Sequence, residues 1–170
     1  ADGWAGTSFV PTGAAATIGH VHQGALAAGR DPSTIDYQAG GAVQFGNDVE
    51  RLLAPRRPGV AFTLGAMGSA TTNFYNDAYS RGGFETEAQK VQQLWVEGQR
   101  EQAVQAVPDE LILQTNFLGS TSEVTERVRS YREAGISVLR VQPEGADMQE
   151  RLDSLGGIVD IVRALNNDDS

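Results

Sequence analysis

The stretch that most constrains the fold is residues 119–143, which reads in order as a helix start, an amphipathic helix, a helix stop and a short strand. Ser120 or Ser122 can cap the helix, because a serine hydroxyl accepts a hydrogen bond from a free N–H group of the first turn. The apolar positions of the helix recur at spacings of four and three and so share one face: Val124, Val128, Tyr131 and Ala134. Gly135 supplies a left-handed helix end, and the β-branched run 136–141 follows at once. A helix that delivers a strand across one glycine is typical of parallel α/β sheets and barrels.

The rest of the chain alternates strands with helices. A strand is predicted near residues 3–9, and another over residues 35–45, where Gly40 and Gly41 indicate a bend or a close approach of backbones. Helices are predicted over residues 13–28, at several places between 48 and 107, and over 108–119, 121–134 and 146–164. The apolar stripe of the last helix is expected to be Met148, Leu152, Leu155, Val159 and Val162. Three strands are few for so many helices, so the sequence predicts part of a larger parallel barrel.

Composition excludes several classes of partner. The 170-residue chain has 22 acidic against 13 basic residues and a formal net charge of -9 at pH 7. Nucleic acids and anionic membranes attract basic surfaces, so we expect neither as a partner. Disulfide frameworks, iron–sulfur clusters and thiol nucleophiles are excluded because the chain has no cysteine. The sequence shows no apolar run long enough to span a bilayer and no basic-then-apolar leader, which favours a cytoplasmic protein.

The familiar chemical motifs are absent from the sequence, which has no phosphate loop, no HExxH, no GxSxG and no GxGxxG. His20 and His22 are two positions apart, so on a helix they project about 200° from each other and cannot share a metal ion. We therefore expect no metal site, and the sequence identifies no catalytic residue.

Two short stretches could contact a ligand but have simpler explanations. Residues 65–68 (GAMG) could approach a ligand closely, although tight helix packing accounts for the glycines. Residues 119–121 precede a helix and could bind an anion, although ordinary capping accounts for them. Phe74 and Tyr75 are adjacent and cannot both face one side of a helix, so one of them is free to line a cavity.

Four blocks of the sequence carry a resemblance to a known family. They are ADGW at the start, NFYNDAYSRGGFETEAQKVQQLWVEG at 73–98, VPDEL at 107–111 and LGSTSEVTERVRSYREAGISVLRV at 118–141. Together, in this order and spacing, they resemble the C-terminal half of a luciferase-like flavin- or deazaflavin-dependent oxidoreductase, and the resemblance covers nearly the whole chain.

The resemblance implies a fold. Members of the family form a (β/α)₈ TIM barrel with a helical insertion near its mouth. Residues 1–170 would then be one C-terminal segment of such a barrel, an α/β fold of about three strands plus the insertion. The insertion would occupy residues 48–118, and the last helix–strand–helix unit residues 119–165. The first five strands, with most of the groups that hold the cofactor, would lie upstream, so the isolated chain is expected to be inactive.

The resemblance also implies a function. The chain would be part of an oxidoreductase in which the reduced deazaflavin coenzyme F420 passes a hydride to a small organic substrate, or, with FMN instead, of a monooxygenase that activates oxygen. The alternative is a non-catalytic barrel fragment that associates with itself or completes a barrel with a partner chain. Candidate residues for the cofactor or substrate pocket are Trp4, Met67, Phe74, Tyr75 and Gln142. Trp95, by contrast, lies on an apolar stripe and is expected in the core of the insertion.

The strand count predicts self-association. Three parallel strands leave two open edges, and the face that would line the barrel interior has no cover. If about 600 to 1,000 Å² of apolar surface is open there, burying it favours association by roughly 15 to 25 kcal/mol before entropy is subtracted. We therefore expect a homodimer or higher oligomer in sedimentation equilibrium at micromolar concentration. A well-folded monomer of 18.1 kDa would contradict this expectation.

Overall fold

A parallel sheet is the centre of the fold. In a computed structural model of the chain, which describes residues 1–68 and 72–168, four strands form this one sheet. They are β1 (Gly3–Ala5), β2 (Asp36–Phe45), β3 (Phe117–Gly119) and β4 (Val138–Pro143). The three strands that the sequence predicts are present, and β3 is an addition.

Helices make up most of the remaining chain. They are α1 (Ala14–Ala27), α2 (Val49–Leu53), α3 (Arg57–Ala66), α4 (Phe74–Tyr79), α5 (Glu85–Val96), α6 (Arg100–Gln105), α7 (Asp109–Thr115), α8 (Thr121–Glu133) and α9 (Met148–Asp168). A π-helical turn, Ser80–Phe84, joins α4 to α5, and short 3₁₀ turns span Pro11–Gly13 and Pro32–Thr34. Residues 69–71 belong to the stretch predicted as helical but lie outside the described residues. Helices α2 to α7 fall in the predicted insertion.

Strand β2 is paired along both edges. Gln38 is in register with residues of both β1 and β4, and Val43 with residues of both β3 and β4. Since a residue has one neighbour on each side, β1 and β3 must share one edge of β2, and β4 occupies the other. Between β1 and β3, this edge of β2 is bonded by a side chain instead of a strand: the Oδ1 of Asn116 accepts a hydrogen bond from the Ala42 N–H at 2.9 Å.

The sequence-based interpretation of residues 108–119 as one helix was wrong at its end. Helix α7 stops at Thr115, because Asn116 has extended backbone angles of φ -141° and ψ 166°. The chain then runs beside the end of β2, where the Gly46 N–H donates to the Gly119 carbonyl oxygen at 2.9 Å. Phe117 and Leu118 are buried there. Three residues are too few to show a strand periodicity, so β3 has no local signal in the sequence.

Helix α8 agrees with its prediction in detail. Ser120 and Glu123 form a capping box, in which the Ser120 hydroxyl accepts from the Glu123 N–H and the Glu123 carboxylate accepts from the Ser120 N–H. The predicted face is buried at Val124, Val128 and Tyr131. Capping therefore accounts for Ser120, and no bound anion is needed to explain it.

Helix α9 has the predicted position but buries a different stripe. Met148 and Leu152 are exposed, by 68% and 53%, whereas the buried positions are Ser154, Ile158, Ile161 and Leu165. The rotation of the helix is set by its first turns, where the Ser154 hydroxyl donates to the Glu144 carbonyl oxygen at 2.9 Å. Both stripes have helical spacing, and this hydrogen bond cannot be inferred from spacing alone.

The two faces of the sheet differ in chemistry. On β4, Leu139 and Val141 pack against the buried cluster formed with α1, α8 and α9, whereas Val138, Arg140 and Gln142 are exposed on the other face. The open face is therefore more polar than the sequence-based estimate of association assumed. A separate buried cluster joins helices α2 to α7.

The glycine pair in β2 generates a stability prediction. A Cβ on Gly41 would lie 2.1 Å from the Thr115 carbonyl oxygen, whereas a Cβ on Gly24, in α1, would meet nothing within 4 Å. We expect Gly41→Ala to destabilise the chain by about 2 to 3 kcal/mol, because backbone would have to move. Gly24→Ala is the control and should stabilise it by about 0.5 to 1 kcal/mol. Urea unfolding measures both, and similar stabilities would contradict the close approach.

Candidate functional site

The open face of the sheet carries a cavity near the carboxyl ends of β1 and β4, and parallel barrels place their chemistry at this end of their strands. This first cavity has a volume of about 600 Å³. Its walls come from the middle of β2, the end of β4, the start of α3 and the residues that follow β1. The polar residues on these walls are Ser8, Arg56, Thr63, Tyr79, Thr115, Asn116, Arg140, Gln142 and Glu144.

Arg56 is the most buried charged group of the first cavity, with a side chain only 11% exposed. Its guanidinium donates to the Leu52 carbonyl oxygen, to Oε1 of Gln44 at 3.3 Å, and to the carboxylate of Glu144, with which it forms an ion pair. Burial lowers the pKa of the Arg56 guanidinium, and the charge and hydrogen bond of Glu144 oppose that shift. Because an arginine pKa starts so high, Arg56 remains a cation at neutral pH.

One N–H group of Arg56 is left unused. Its Nε is buried and has no hydrogen-bond partner among the described residues. A buried donor without a partner is costly in a folded protein, typically by about 1 to 3 kcal/mol. The guanidinium of Arg56, which lies on the wall of the first cavity, is thus only partly satisfied by the described protein groups.

Ser8 and Tyr79 close one side of the first cavity. Ser8 has φ +53°, a left-handed backbone conformation that residues other than glycine rarely adopt. Such strained residues concentrate at functional sites. Its side chain hydrogen-bonds to Tyr79, which lowers the tyrosine pKa, but burial is the larger effect and raises that pKa overall. Tyr79 therefore stays a neutral phenol at neutral pH.

A second cavity, of about 440 Å³, lies between α1 and α4. Trp4 and Phe74 line it together with His20, Thr17 and Arg81. Ser8 and Phe9 are on the walls of both cavities, so they form the partition between the two.

The five residues predicted for a pocket fall in different places. Gln142 lines the first cavity, and Trp4 and Phe74 line the second. Met67 follows the end of α3 and is 38% exposed, and Tyr75 is half-buried with its ring edge-on to Phe74 at 5.6 Å. Neither Met67 nor Tyr75 lines either cavity.

Sequence reasoning missed several residues of the first cavity, among them Arg56, Tyr79 and Arg140. Arg56 and Tyr79 lie in helical segments, and only the tertiary fold brings them to the sheet. Arg140 did have a signal, because it is a charged residue inside the short run 136–141, where a strand buried on both faces would be apolar. Its guanidinium donates to the Gly6 carbonyl oxygen at 2.6 Å, across the open face from β4 to the residue after β1.

The glycines at 65–68 are explained by packing. A Cβ on Gly65 would lie 2.2 Å from the side chain of Trp95, so the glycine allows the indole to lie against α3. Trp95 is half-buried, with Phe62 edge-on at 5.8 Å and the Arg100 guanidinium 4.0 Å from its ring centroid. In the described part of the chain, no His, Asp and Glu residues cluster as a metal site would require, and no helix is long and apolar enough to cross a membrane.

Comparison with known proteins identifies the family. Residues 1–138 match the sequence profile of the family described as "Luciferase-like monooxygenase". The chain belongs to the luciferase-like monooxygenase family. The resemblance inferred from the sequence is therefore confirmed, and with it the α/β fold class of this family's barrel.

Two individual proteins resemble this luciferase-like chain. A protein of Mycobacterium tuberculosis named "Putative coenzyme F420-dependent oxidoreductase" is 26% identical over 156 residues, which are 91% of this chain and 45% of that protein. The solved structure of the coenzyme F420-dependent tetrahydromethanopterin reductase of Methanopyrus kandleri matches with a TM-score of 0.68 at 20% identity, over 92% of this chain and 44% of that one. The chain thus spans less than half the length of these relatives, and the structural match shows a shared fold.

The ion pair of Arg56 generates a second stability prediction. We expect Arg56→Met to destabilise the chain by about 1 to 3 kcal/mol, because Glu144, Gln44 and the Leu52 carbonyl each lose a charged donor. Arg30→Met is the matched control, since Arg30 pairs with Asp2, whose side chain is 99% exposed, and should cost at most about 0.5 kcal/mol. Equal costs in urea unfolding would show that the Arg56 pair does not support the fold.

Proposed function

We propose that this chain is the C-terminal half of the catalytic barrel of a coenzyme F420-dependent oxidoreductase. The observation that carries the proposal is the match of 91% of the chain to a relative that is itself named for this coenzyme. The shared fold with an F420-dependent reductase supports the same choice. The substrate would be a small organic molecule, and the reaction a hydride transfer.

The first cavity fits such a coenzyme. A deazaflavin has oxygen atoms on its ring and a phosphate on its side chain, so it needs hydrogen-bond donors and positive charge. The cavity offers the guanidinium groups of Arg56 and Arg140 and the side-chain amide of Gln142. These three side chains would hold the part of the coenzyme that reaches this half of the barrel.

When bound, the coenzyme would donate a hydride to the substrate or accept one from it. The residues of this chain contribute orientation and shape rather than acid–base chemistry. Arg56 is fixed by Gln44 and Glu144, so it presents its charge from one position. Tyr79 and Ser8 form a polar wall. Because burial raises the pKa of Tyr79, its phenol keeps its proton at neutral pH. Preorganised donors of this kind stabilise charge without rearranging.

A second candidate is an FMN-dependent monooxygenase, and the description of the matched family favours it. FMN and the deazaflavin have similar outlines, and the donors named above suit either ring. A third candidate, a non-catalytic fragment that associates with itself or with a chain that completes the barrel, has no observation that favours it over the enzyme. Association of two or more copies remains part of the proposal, because β1 and β4 each have one edge without a strand partner among the described residues.

Titration of the chain with each coenzyme tests the proposal. We expect weak binding of both, with dissociation constants above about 100 μM, because pockets of this type converge from strands all around the barrel. Oxidised F420, followed by its fluorescence, should bind more tightly than FMN. Low-micromolar binding would show that most of the site lies within this chain, and tighter binding of FMN would favour the monooxygenase.

Two substitutions test whether F420 binds in the first cavity. Arg140→Gln should weaken F420 binding by about tenfold, since a charged hydrogen bond contributes roughly 1.5 to 3 kcal/mol. Arg163→Gln on α9 is the control, because its side chain is 75% exposed and lies outside the first cavity. Equal binding by the two variants would remove Arg140 from the site.

A further inference from the structure

The second cavity is built as a site of its own. It lies between α1 and the start of α4, and only Ser8 and Phe9 are shared with the first cavity. At one end, the Thr12 hydroxyl donates to the Gly82 carbonyl oxygen at 2.8 Å, and a Cβ on Gly13 would lie 2.9 Å from the Gly82 Cα. These contacts fix the turn after β1 against the π-helical turn of the insertion.

The start of α4 is held just as firmly. Asn73 is 3% exposed, accepts hydrogen bonds from the Tyr75 and Asn76 N–H groups, and donates to the Leu64 carbonyl oxygen at 2.8 Å. Phe74 follows directly and is 62% exposed, although it belongs to the lining of the cavity. A large apolar side chain is thus held on a rigid helix start, at the rim of the cavity.

Two aromatic rings give the second cavity its apolar character. Trp4 is half-buried, packs edge-on against Phe9 at 6.1 Å, and lies over Gly6, where a Cβ would be 2.3 Å from the indole. The indole is therefore held in position by its contacts with Gly6 and Phe9. Phe74 supplies the second ring, and planar ligands gain from such aromatic faces.

The charge of the second cavity has one sign. Its ionisable side chains are Arg81 and His20, and no carboxylate is among its lining residues, although the chain as a whole is strongly acidic. Arg81 makes no ion pair with any of the described residues. His20 uses Nδ1 in a contact with the Ala16 carbonyl oxygen, which leaves Nε2 for a ligand.

We propose that the second cavity binds a planar aromatic carboxylate, with its ring against Trp4 and Phe74 and its carboxylate on Arg81. A volume of about 440 Å³ lies within the range of small-molecule sites, and such sites combine apolar walls with a few polar groups that set orientation. A guanidinium is the side chain best suited to a carboxylate. That this ligand is the substrate of the oxidoreductase rests on the proposed function, whereas its binding does not.

Fluorine NMR of the chain labelled with 5-fluorotryptophan tests the site. The chain has two tryptophans, and Trp95→Phe assigns their signals. Titration with 2-naphthoate should shift the Trp4 signal saturably and leave the Trp95 signal in place. The uncharged 2-naphthamide should bind at least fivefold more weakly. A shift of Trp95 instead, equal binding of the two compounds, or no saturable shift would overturn the proposal.

Two arginine variants test whether Arg81 binds the carboxylate. Arg81→Gln should weaken 2-naphthoate at least fivefold without changing the affinity for 2-naphthamide, whereas Arg100→Gln, at the other tryptophan, should change neither. Because Arg81 is exposed, a thermal midpoint equal to that of the unaltered chain shows that the variant is folded. Equal weakening of both ligands by Arg81→Gln would mean a general loss of shape and would overturn the carboxylate assignment.

Competition separates this inference from the proposed function. If inorganic phosphate or F420 displaces 2-naphthoate at comparable concentrations, the second cavity belongs to the coenzyme, and the inference fails while the proposed function stands. If 2-naphthoate binds as described but F420 shows no saturable binding even at millimolar concentration in its own titration, the proposed function fails and the carboxylate site stands.

Discussion

The hydrogen-bond ladder of β2 is the interaction on which the rest of this structure depends. Its ten residues are paired with β4 on one edge and with β1 and β3 on the other, and Asn116 bridges the interval between those two. Among the described strands, no two of the other three are paired with each other. Both cavities depend on β2 as well, since it walls the first cavity directly and sets the position of β1, which contains Trp4 and is followed by Ser8.

A set of polar contacts joins helices α2 and α3 to this sheet. The guanidinium of Arg56 stands at the start of α3 and contacts groups from α2, from β2 and from the residue after β4. Apolar packing could hold these helices in many orientations, because it has no direction, whereas a set of charged hydrogen bonds selects one. The first cavity owes its shape to this selection.

Local patterns in the sequence were enough for most elements, and tertiary contacts decided the rest. Helix α8 and strand β4 could be predicted because cap, stripe, glycine stop and β-branched run all occur within one short stretch. The buried stripe of α9 could not, because two stripes were available and a hydrogen bond from Ser154 chose between them. For the same reason, Trp4 and Gln142, which lie near a strand end in sequence, could be chosen as candidates and do line cavities, whereas Arg56 and Tyr79 reach the first cavity from segments distant in sequence.

The partition formed by Ser8 and Phe9 has a consequence for how the two cavities behave together. Ser8 is held at a positive φ, a strained backbone conformation that the surrounding contacts must maintain. A ligand that pushes on this wall from one side changes the room available on the other side. Binding in the two cavities would then be linked thermodynamically, and the linkage would be equal in both directions, because the free energy of a doubly occupied state does not depend on which ligand arrives first.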